Sequence, residues 1–325
     1  MTPSSDLRVL FRVAAGPRRG FGHLVRSISL ARAMGVRPLL SLRGPAEVQD
    51  TAIALGADVL TDGTPGSVRR LRPDVLVVDD PIASATRAWV AAARQAGTVV
   101  VTIHDLGLGY AGGDVVIDGS ITRPARVRRR VRLGLTGARY AILDPALTTG
   151  TRPRSSGRER LVLVALGGGP RREIARSIAE AITAADPRAQ IRIAGGFAVE
   201  PPISQPNITW IAPRRGLGTE LARATVAVVG GGVSLYEACA LGVPTVGVPV
   251  VPSQTPTVRA FARRGAAVAM PLRASGDETA AQVVALLDDP RRRAALRRRS
   301  MRLVDGRGAE RAAAAVLSFA ERRRP

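Results

Sequence analysis

The sequence predicts an α/β protein made of two βα domains of similar size. Short β-branched runs alternate with amphipathic segments, as in parallel sheets whose strands are joined by crossover helices. The alternation occurs twice, on either side of a polar stretch at 148–160 rich in Gly, Pro and Ser, the composition of a linker. Glycine-rich turns follow predicted strands, and the carboxyl end of strands is where open α/β sheets take ligands. In the first half the predicted strands are 7–13, 38–42, 75–78, 98–103 and 114–117; between the first two, Leu24, Ile28 and Ala31 recur at helical spacing. The second half has strands at 161–166, 191–194, 208–211, 226–229 and 245–248. A helix follows Pro170 with Ile174, Ile178 and Ile182 predicted on its buried stripe. An Ala-rich helix at 309–320 reads as a closing element whose target domain the sequence does not name.

Composition sets outer bounds. The chain has 325 residues, two domains at the usual ~150 each. Hydrophobic residues make up 46%, enough to exclude overall disorder, and with aromatics at only 3% the core must be Val, Leu, Ile and Ala. A single cysteine, Cys239, excludes a disulfide framework and a thiolate metal cluster, and its apolar neighbours place it in a core. The apolar stretches 225–229 and 243–251 fall short of the ~20 residues that span a bilayer. Arg8 and Arg12 interrupt the first apolar run, so a cytoplasmic protein is expected. All 48 basic residues are Arg, against 26 acids, for a net charge of +22. No aromatics interleave with the clusters at 128–130, 291–293, 297–299 and 322–324, and no helix-turn-helix or zinc-finger spacing occurs, so no specific nucleic-acid partner is expected. A solvated basic surface is the plain reading, with peripheral contact to an anionic membrane or attraction to a diphosphate substrate beside it.

Four motifs carry chemistry. Gly20-Phe21-Gly22-His23 follows the first strand and puts one of only two histidines at a helix start, where it can exchange protons near neutral pH. Gly230-Gly231-Gly232-Val233-Ser234 exposes backbone N–H groups at a helix N-terminus, an anion site, and Glu237 one turn on suits ribose hydroxyls. Gly167-Gly168-Gly169-Pro170 is a second candidate loop; with no Lys in the chain, a P-loop ATPase is excluded. The acids Asp79 and Asp80, and the pair His104-Asp105, end predicted strands and are equally readable as loop or capping residues. Two histidines without repeated ligand spacing make a metal centre a poor fit.

In order, these residues resemble the UDP-sugar hydrolases of the pseudaminic acid pathway and the spore-coat polysaccharide glycosyltransferase-like proteins. Both are similar to the GT-B glycosyltransferases that include the peptidoglycan lipid-linked GlcNAc transferase. The resemblance covers 20–31, 77–81, 102–106, 114–118, 140–147, 161–170 and 230–254, with 236–244 and Gln254 the most specific for GT-B enzymes and the piece from Gly20 to Arg26 pointing to the hydrolases. The chain departs from the hydrolase pattern at His104-Asp105, Pro170-Arg171, Tyr236 and Ser253.

The resemblance implies an α/β GT-B fold, two Rossmann-like domains facing a central cleft: 1–148 for the acceptor and catalytic base, linker 149–160, donor domain 161–308 and closing helix 309–325. It implies metal-independent, cofactor-free cleavage of the anomeric C–O bond of a nucleotide diphosphate sugar, with His23 as general base. Gly231, Gly232, Val233 and Ser234 would hold the pyrophosphate, Glu237 the ribose, and the backbone at Ile211 and Ala212 the uracil. Gly22, Asp80, Asp105, Gly168, Gly169 and Gln254 would surround the sugar. Hydrolysis of a UDP-sugar in surface polysaccharide or nonulosonic acid-type synthesis is the first expectation. Transfer to a saccharide, lipid or small-molecule acceptor is the alternative, and a non-catalytic basic protein binding nucleic acid or anionic membrane the second alternative.

Overall fold

All paired strands among the described residues run parallel, in two separate sheets. The computed structural model describes residues 7–16, 20–61, 63–104, 112–122, 131–149, 159–167, 171–195, 205–213 and 216–323. Expectations at Asp105, Gly168, Gly169 and Pro170, and over most of 149–160, lie outside them. Contacts divide the chain into two units, Met1–Pro145 with Arg307–Pro325, and Ala146–Gly306.

The first unit has β1 (Val9–Ala14), α1 (Gly22–Ala33), β2 (Leu39–Arg43), α2 (Glu47–Ala54), β3 (Asp58–Val59), α3 (Gly66–Leu71), β4 (Val75–Asp79), α4 (Ala83–Gln95), β5 (Val99–His104), β6 (Val115–Asp118) and β7 (Leu133–Thr136). Its sheet runs β3-β2-β1-β4-β5-β6-β7, so the strand order reverses between β1 and β4. Every residue of β1, β4, β5 and β6 is buried, as strands covered on both faces must be. One face of β1 (Val9, Phe11, Val13) packs with Leu24, Ile28 and Ala31 of α1, and the other, through Leu10, meets Val68 and the α4 residues Trp89 and Val90.

In the second unit stand α5 (Ala146–Thr149), β8 (Leu161–Ala165), α6 (Arg171–Ala185), β9 (Gln190–Ala194), β10 (Ile208–Ile211), α7 (Gly218–Arg223), β11 (Val226–Val229), α8 (Val233–Ala240), β12 (Thr245–Gly247), α9 (Thr255–Arg263), β13 (Val268–Ala269), α10 (Gly276–Asp288) and α11 (Pro290–Leu303). The sheet order β10-β9-β8-β11-β12-β13 reverses between β8 and β11. The last helix, α12 (Gly308–Glu321), belongs to the first unit, where Ala309, Ala312, Ala313, Val316 and Ala320 lie in the core beside α1.

The stripe expected on α6 is shifted. Ala175, Ile178, Ala179 and Ile182 are buried, whereas Ile174 is 40% exposed. Each step of four residues overshoots a full turn by ~40°, so Ile174 rotates off the face that Ile178 and Ile182 share. Cys239 is fully buried, and burial pushes its thiol pKa far up, which fits a core residue.

Candidate functional site

In the first unit the site begins at the β1/β4 switch point. Gly16 and Gly20 exchange backbone hydrogen bonds just ahead of α1. Gly22 then opens the helix, and His23 sits in its first turn. The last residue of β4 faces it: His23 Nδ1 lies 2.8 Å from Asp79 Oδ1. Arg26, one turn along α1, clasps the same carboxylate through Nε and Nη2, both at 2.6 Å, and Ser27 adds its hydroxyl at 3.3 Å. Asp79 is 1% exposed. Burial alone would raise its pKa; the charges of Arg26 and His23, with their hydrogen bonds, reverse that and hold it well below the usual carboxylate range.

The ionised Asp79 decides the tautomer. Arg26 Nη2 also lies 2.9 Å from His23 Nδ1 and could donate to it. A carboxylate 2.8 Å from a bare nitrogen lone pair would set two acceptors against each other, so we assign the proton to Nδ1, donating to Asp79. Nε2 is then the acceptor, and the half-buried ring, 18% exposed, is held in one orientation with a nitrogen chemically able to take a proton. This couple was not assembled from the sequence, where Asp79 was only one of two adjacent acids.

Asp80, the adjacent acid, is engaged elsewhere among the described residues. Both its oxygens are engaged by Arg43, Nε at 2.7 Å and Nη2 in a second close contact, and Oδ1 also accepts from the Ile82 N–H at 2.9 Å. The carboxylate that meets His23 is its neighbour, because successive strand residues point to opposite faces of the sheet. His104 and Asp118 end β5 and β6 in register, with His104 Nδ1 3.9 Å from Asp118 Oδ2.

In the second unit the Gly230–Gly232 loop leaves β11 at the β8/β11 switch point and opens α8. Gly232 is the N-cap, with φ −102° and ψ −153°, and no side chain caps the helix. The N–H groups of Val233 and Ser234 therefore have no helical partner, and the dipole favours an anion beside them. A Cβ at Gly232 would meet nothing within 4 Å, so approach there is open. Gly231 is the opposite: a Cβ would stand 2.8 Å from Gln254 Cβ and backbone O and 2.9 Å from Val258 Cγ2. Gln254 thus lies directly on the loop, its Oε1 accepting from the Val250 N–H at 3.0 Å and its Nε2 left as a donor.

Glu237 is 7% exposed and one turn beyond Val233, on the face that leans back toward the helix start. Tyr236 packs edge-on against Phe261 with centroids 4.9 Å apart. Gly242, at φ +68°, ends α8: its N–H bonds Cys239 O and the Val243 N–H bonds Ala238 O, a Schellman closure. Ile211 ends β10 with its carbonyl taken by the Gly195 N–H at 3.0 Å, and Ala212 is exposed just beyond. The structure therefore gathers Gly231, Gly232, Val233, Ser234, Glu237 and Gln254 around one helix start.

Two parallel sheets with flanking helices and these strand orders make the fold that of the GT-B glycosyltransferases. Among solved structures the chain is similar to Spinosyn Forosaminyltransferase SpnP, with TM-score 0.68 and 16% identity, covering 98% of this chain and 100% of that one. It is also similar to CalG4, the Calicheamicin Glycosyltransferase (TM-score 0.66, 19% identity, 98% and 100% covered). Glycosyltransferase VinC in complex with DTDP gives TM-score 0.66 at 16% identity, over 97% of this chain and 100% of VinC. Residues 152–303, just under half of the chain, match the family model of UDP-glucoronosyl and UDP-glucosyl transferase. Spore Coat Polysaccharide Biosynthesis Protein SpsG of Bacillus subtilis (strain 168) is 29% identical over 226 residues, 64% of this chain and 66% of that protein, just under two thirds of its length.

Proposed function

We propose that the protein is an enzyme that transfers a sugar from a nucleoside diphosphate sugar to an acceptor hydroxyl. The observation that carries this is the Gly230–Gly232 loop opening α8 at a switch point, with uncapped N–H groups and open space at Gly232. In this reading Val233 and Ser234 hold the pyrophosphate, Glu237 the ribose and Gln254 the sugar, with the base at Ile211 and Ala212. Gly22, Gly168, Gly169, Asp80 and Asp105 are the remaining expected sugar neighbours; Asp80 is the weakest of them, since Arg43 already holds it. His23 Nε2 takes the acceptor proton, the acceptor oxygen bonds to the anomeric carbon, and the anomeric C–O bond breaks toward the diphosphate. The charge on that leaving group falls on fixed N–H dipoles.

Transfer replaces hydrolysis as the leading reading, because the family matched over 152–303 and the solved structures above are described as transferases. The spore-coat relative supports cell-surface polysaccharide as the product class. The matched family acts with UDP-sugars by its name and VinC was solved with DTDP, so both nucleotides are to be tried. Calorimetric titration of the protein with UDP and dTDP tests the donor site. Saturable binding to one of them, lost in Gly232→Ala and Glu237→Ala with the fold intact, supports it; no binding to either removes it.

Peripheral contact with an anionic membrane rests on α11. Arg291, Arg292, Arg297, Arg298, Arg299 and Arg302 are exposed on it, while Arg293, Leu296 and Ser300 face inward. Among the described residues no helix is long and apolar enough to cross a membrane.

A further inference from the structure

Behind the His23–Asp79 couple, on the opposite face of the same sheet, lies a second polar cluster. Arg12 of β1 is 8% exposed, in the middle of a parallel sheet. Its Nη1 donates to Ser41 Oγ at 3.1 Å, and its guanidinium lies 5.1 Å from the Trp89 ring centroid. Its Nε is buried with no hydrogen-bond partner among the described residues. Two strands away, Thr102 Oγ1 is likewise buried and unpartnered. The two belong to one row across the sheet, since Arg12 pairs with Ser41 and Val78, and Val78 with Thr102.

One residue pair further toward the carboxyl edge stand Arg43 and Asp80. Asp80 is held by Arg43, and Arg12 makes no ion pair of its own among the described residues. Burial of charge is tolerated when it is paired and hydrogen-bonded. Desolvation lowers the Arg12 pKa, which the Asp80 charge opposes and Arg43 reinforces. An oxyanion would supply an acceptor for Arg12 Nε and a negative charge to pair with its guanidinium. The cluster sits at the β1/β4 switch point, where doubly wound sheets receive ligands, and Arg43, 25% exposed, connects it to solvent.

We propose that the first unit holds an oxyanion subsite, built of Arg12 and Arg43, that recognises a carboxylate or phosphate group carried by the acceptor. This deepens the transferase reading by naming the acceptor class, an acidic sugar or sugar phosphate, and rests on that reading for the word acceptor. The anion fixes the acceptor at the edge where His23 takes a hydroxyl proton, and Thr102 offers a hydroxyl to the same row.

The test is calorimetric titration of the full chain with galacturonate, inorganic phosphate and galactose. Galacturonate or phosphate is expected to bind saturably, identifying a carboxylate or a phosphate as the group taken, while galactose gives no heat. Arg12→Gln and, separately, Arg43→Gln should weaken that binding tenfold or more. UDP or dTDP binding in the same variants reads the donor site independently and shows that the second unit is intact; a circular dichroism melt checks the first. Absence of binding by both anions, equal binding of galactose, or anion binding retained in both variants overturns the proposal. So does phosphate binding that survives Arg12→Gln but is lost in Gly232→Ala, because it belongs to the donor loop.

Discussion

Replacing Asp79 with Asn removes one charge from a place that water does not reach, and two consequences follow that separate experiments can read. The carboxylate is 1% exposed and Arg26 7%, joined by two 2.6 Å hydrogen bonds. Removing one charge of a buried pair costs about 3–5 kcal/mol. Asn keeps one oxygen for Arg26, so ~3 kcal/mol is expected, or about 6–12 °C in Tm at about 2–4 °C per kcal/mol for a unit of this size. The second consequence is chemical: the acceptor that fixes the His23 Nδ1 proton is gone. A misoriented general base forfeits about 10²–10⁴-fold in kcat. The donor loop stands in the other unit, so KM for the nucleotide sugar and calorimetric UDP or dTDP affinity should stay within about twofold of the parent. Nucleotide release from a donor sugar gives kcat and KM, and circular dichroism gives Tm. His23→Gln, which leaves the Arg26–Asp79 pair in place, should lose turnover with little loss of Tm. If Asp79→Asn folds and turns over within twofold of the parent, Asp79 does not orient the base and the assignment of the Nδ1 proton is wrong.

The pH dependence of stability has a definite sign. The folded pKa of Asp79 is held below its unfolded value of ~3.9, so its contribution is fully present above that value and is lost as pH falls through the folded one. Urea midpoints measured between pH 7 and pH 3 should drop for the parent and fall less steeply for Asp79→Asn. Gly231→Ala, whose Cβ would lie 2.8 Å from the Gln254 backbone, should lower both Tm and nucleotide affinity, whereas Gly232→Ala should lower affinity at unchanged Tm. Ser275→Ala breaks the capping box with Glu278 at the start of α10 and should cost ~1 kcal/mol, seen as a Tm lower by about 2–4 °C. Vesicles containing phosphatidylglycerol should sediment the protein at low salt, with Arg297→Glu/Arg298→Glu/Arg302→Glu releasing it; equal sedimentation of parent and triple variant would remove α11 as the contact.

What was legible in the sequence was whatever repeats locally. The ten predicted strands are apolar, mostly β-branched runs, nine of them interior to their sheets and one, β10, at an edge, and each appears within a residue or two of its expected position. The edge strands β3, β13 and β7 were missed: β3 and β13, with two residues each, carry no period of their own, and Gly134 breaks the apolar run of β7, so all three are defined by pairing with β2, β12 and β6. Among candidate site residues, the Gly230–Gly232 loop and Gln254 were readable as motifs, and the structure seats Gln254 on the loop. The partnership of His23 and Asp79 was not, since 56 residues separate them and only the β1–β4 pairing brings them together. The choice between Asp79 and Asp80 turned on strand parity at the end of β4, which a run of buried residues hides. A signal was available in Arg26, whose place one turn after His23 marks the face of α1 that needs a carboxylate.

The return of α12 to the first unit makes that unit discontinuous in the chain, with residues 146–306 inserted between its two parts. A ribosome would therefore release the inserted unit complete while the earlier-made sheet still lacked the Ala-rich helix that covers Leu24 and Ile28. Order of synthesis and order of completion are reversed: the half of the protein carrying the His23–Asp79 couple is the last to close. A chain cut short after residue 306 would keep every residue of its Gly230–Gly232 loop and lose the cover of the helix that carries His23.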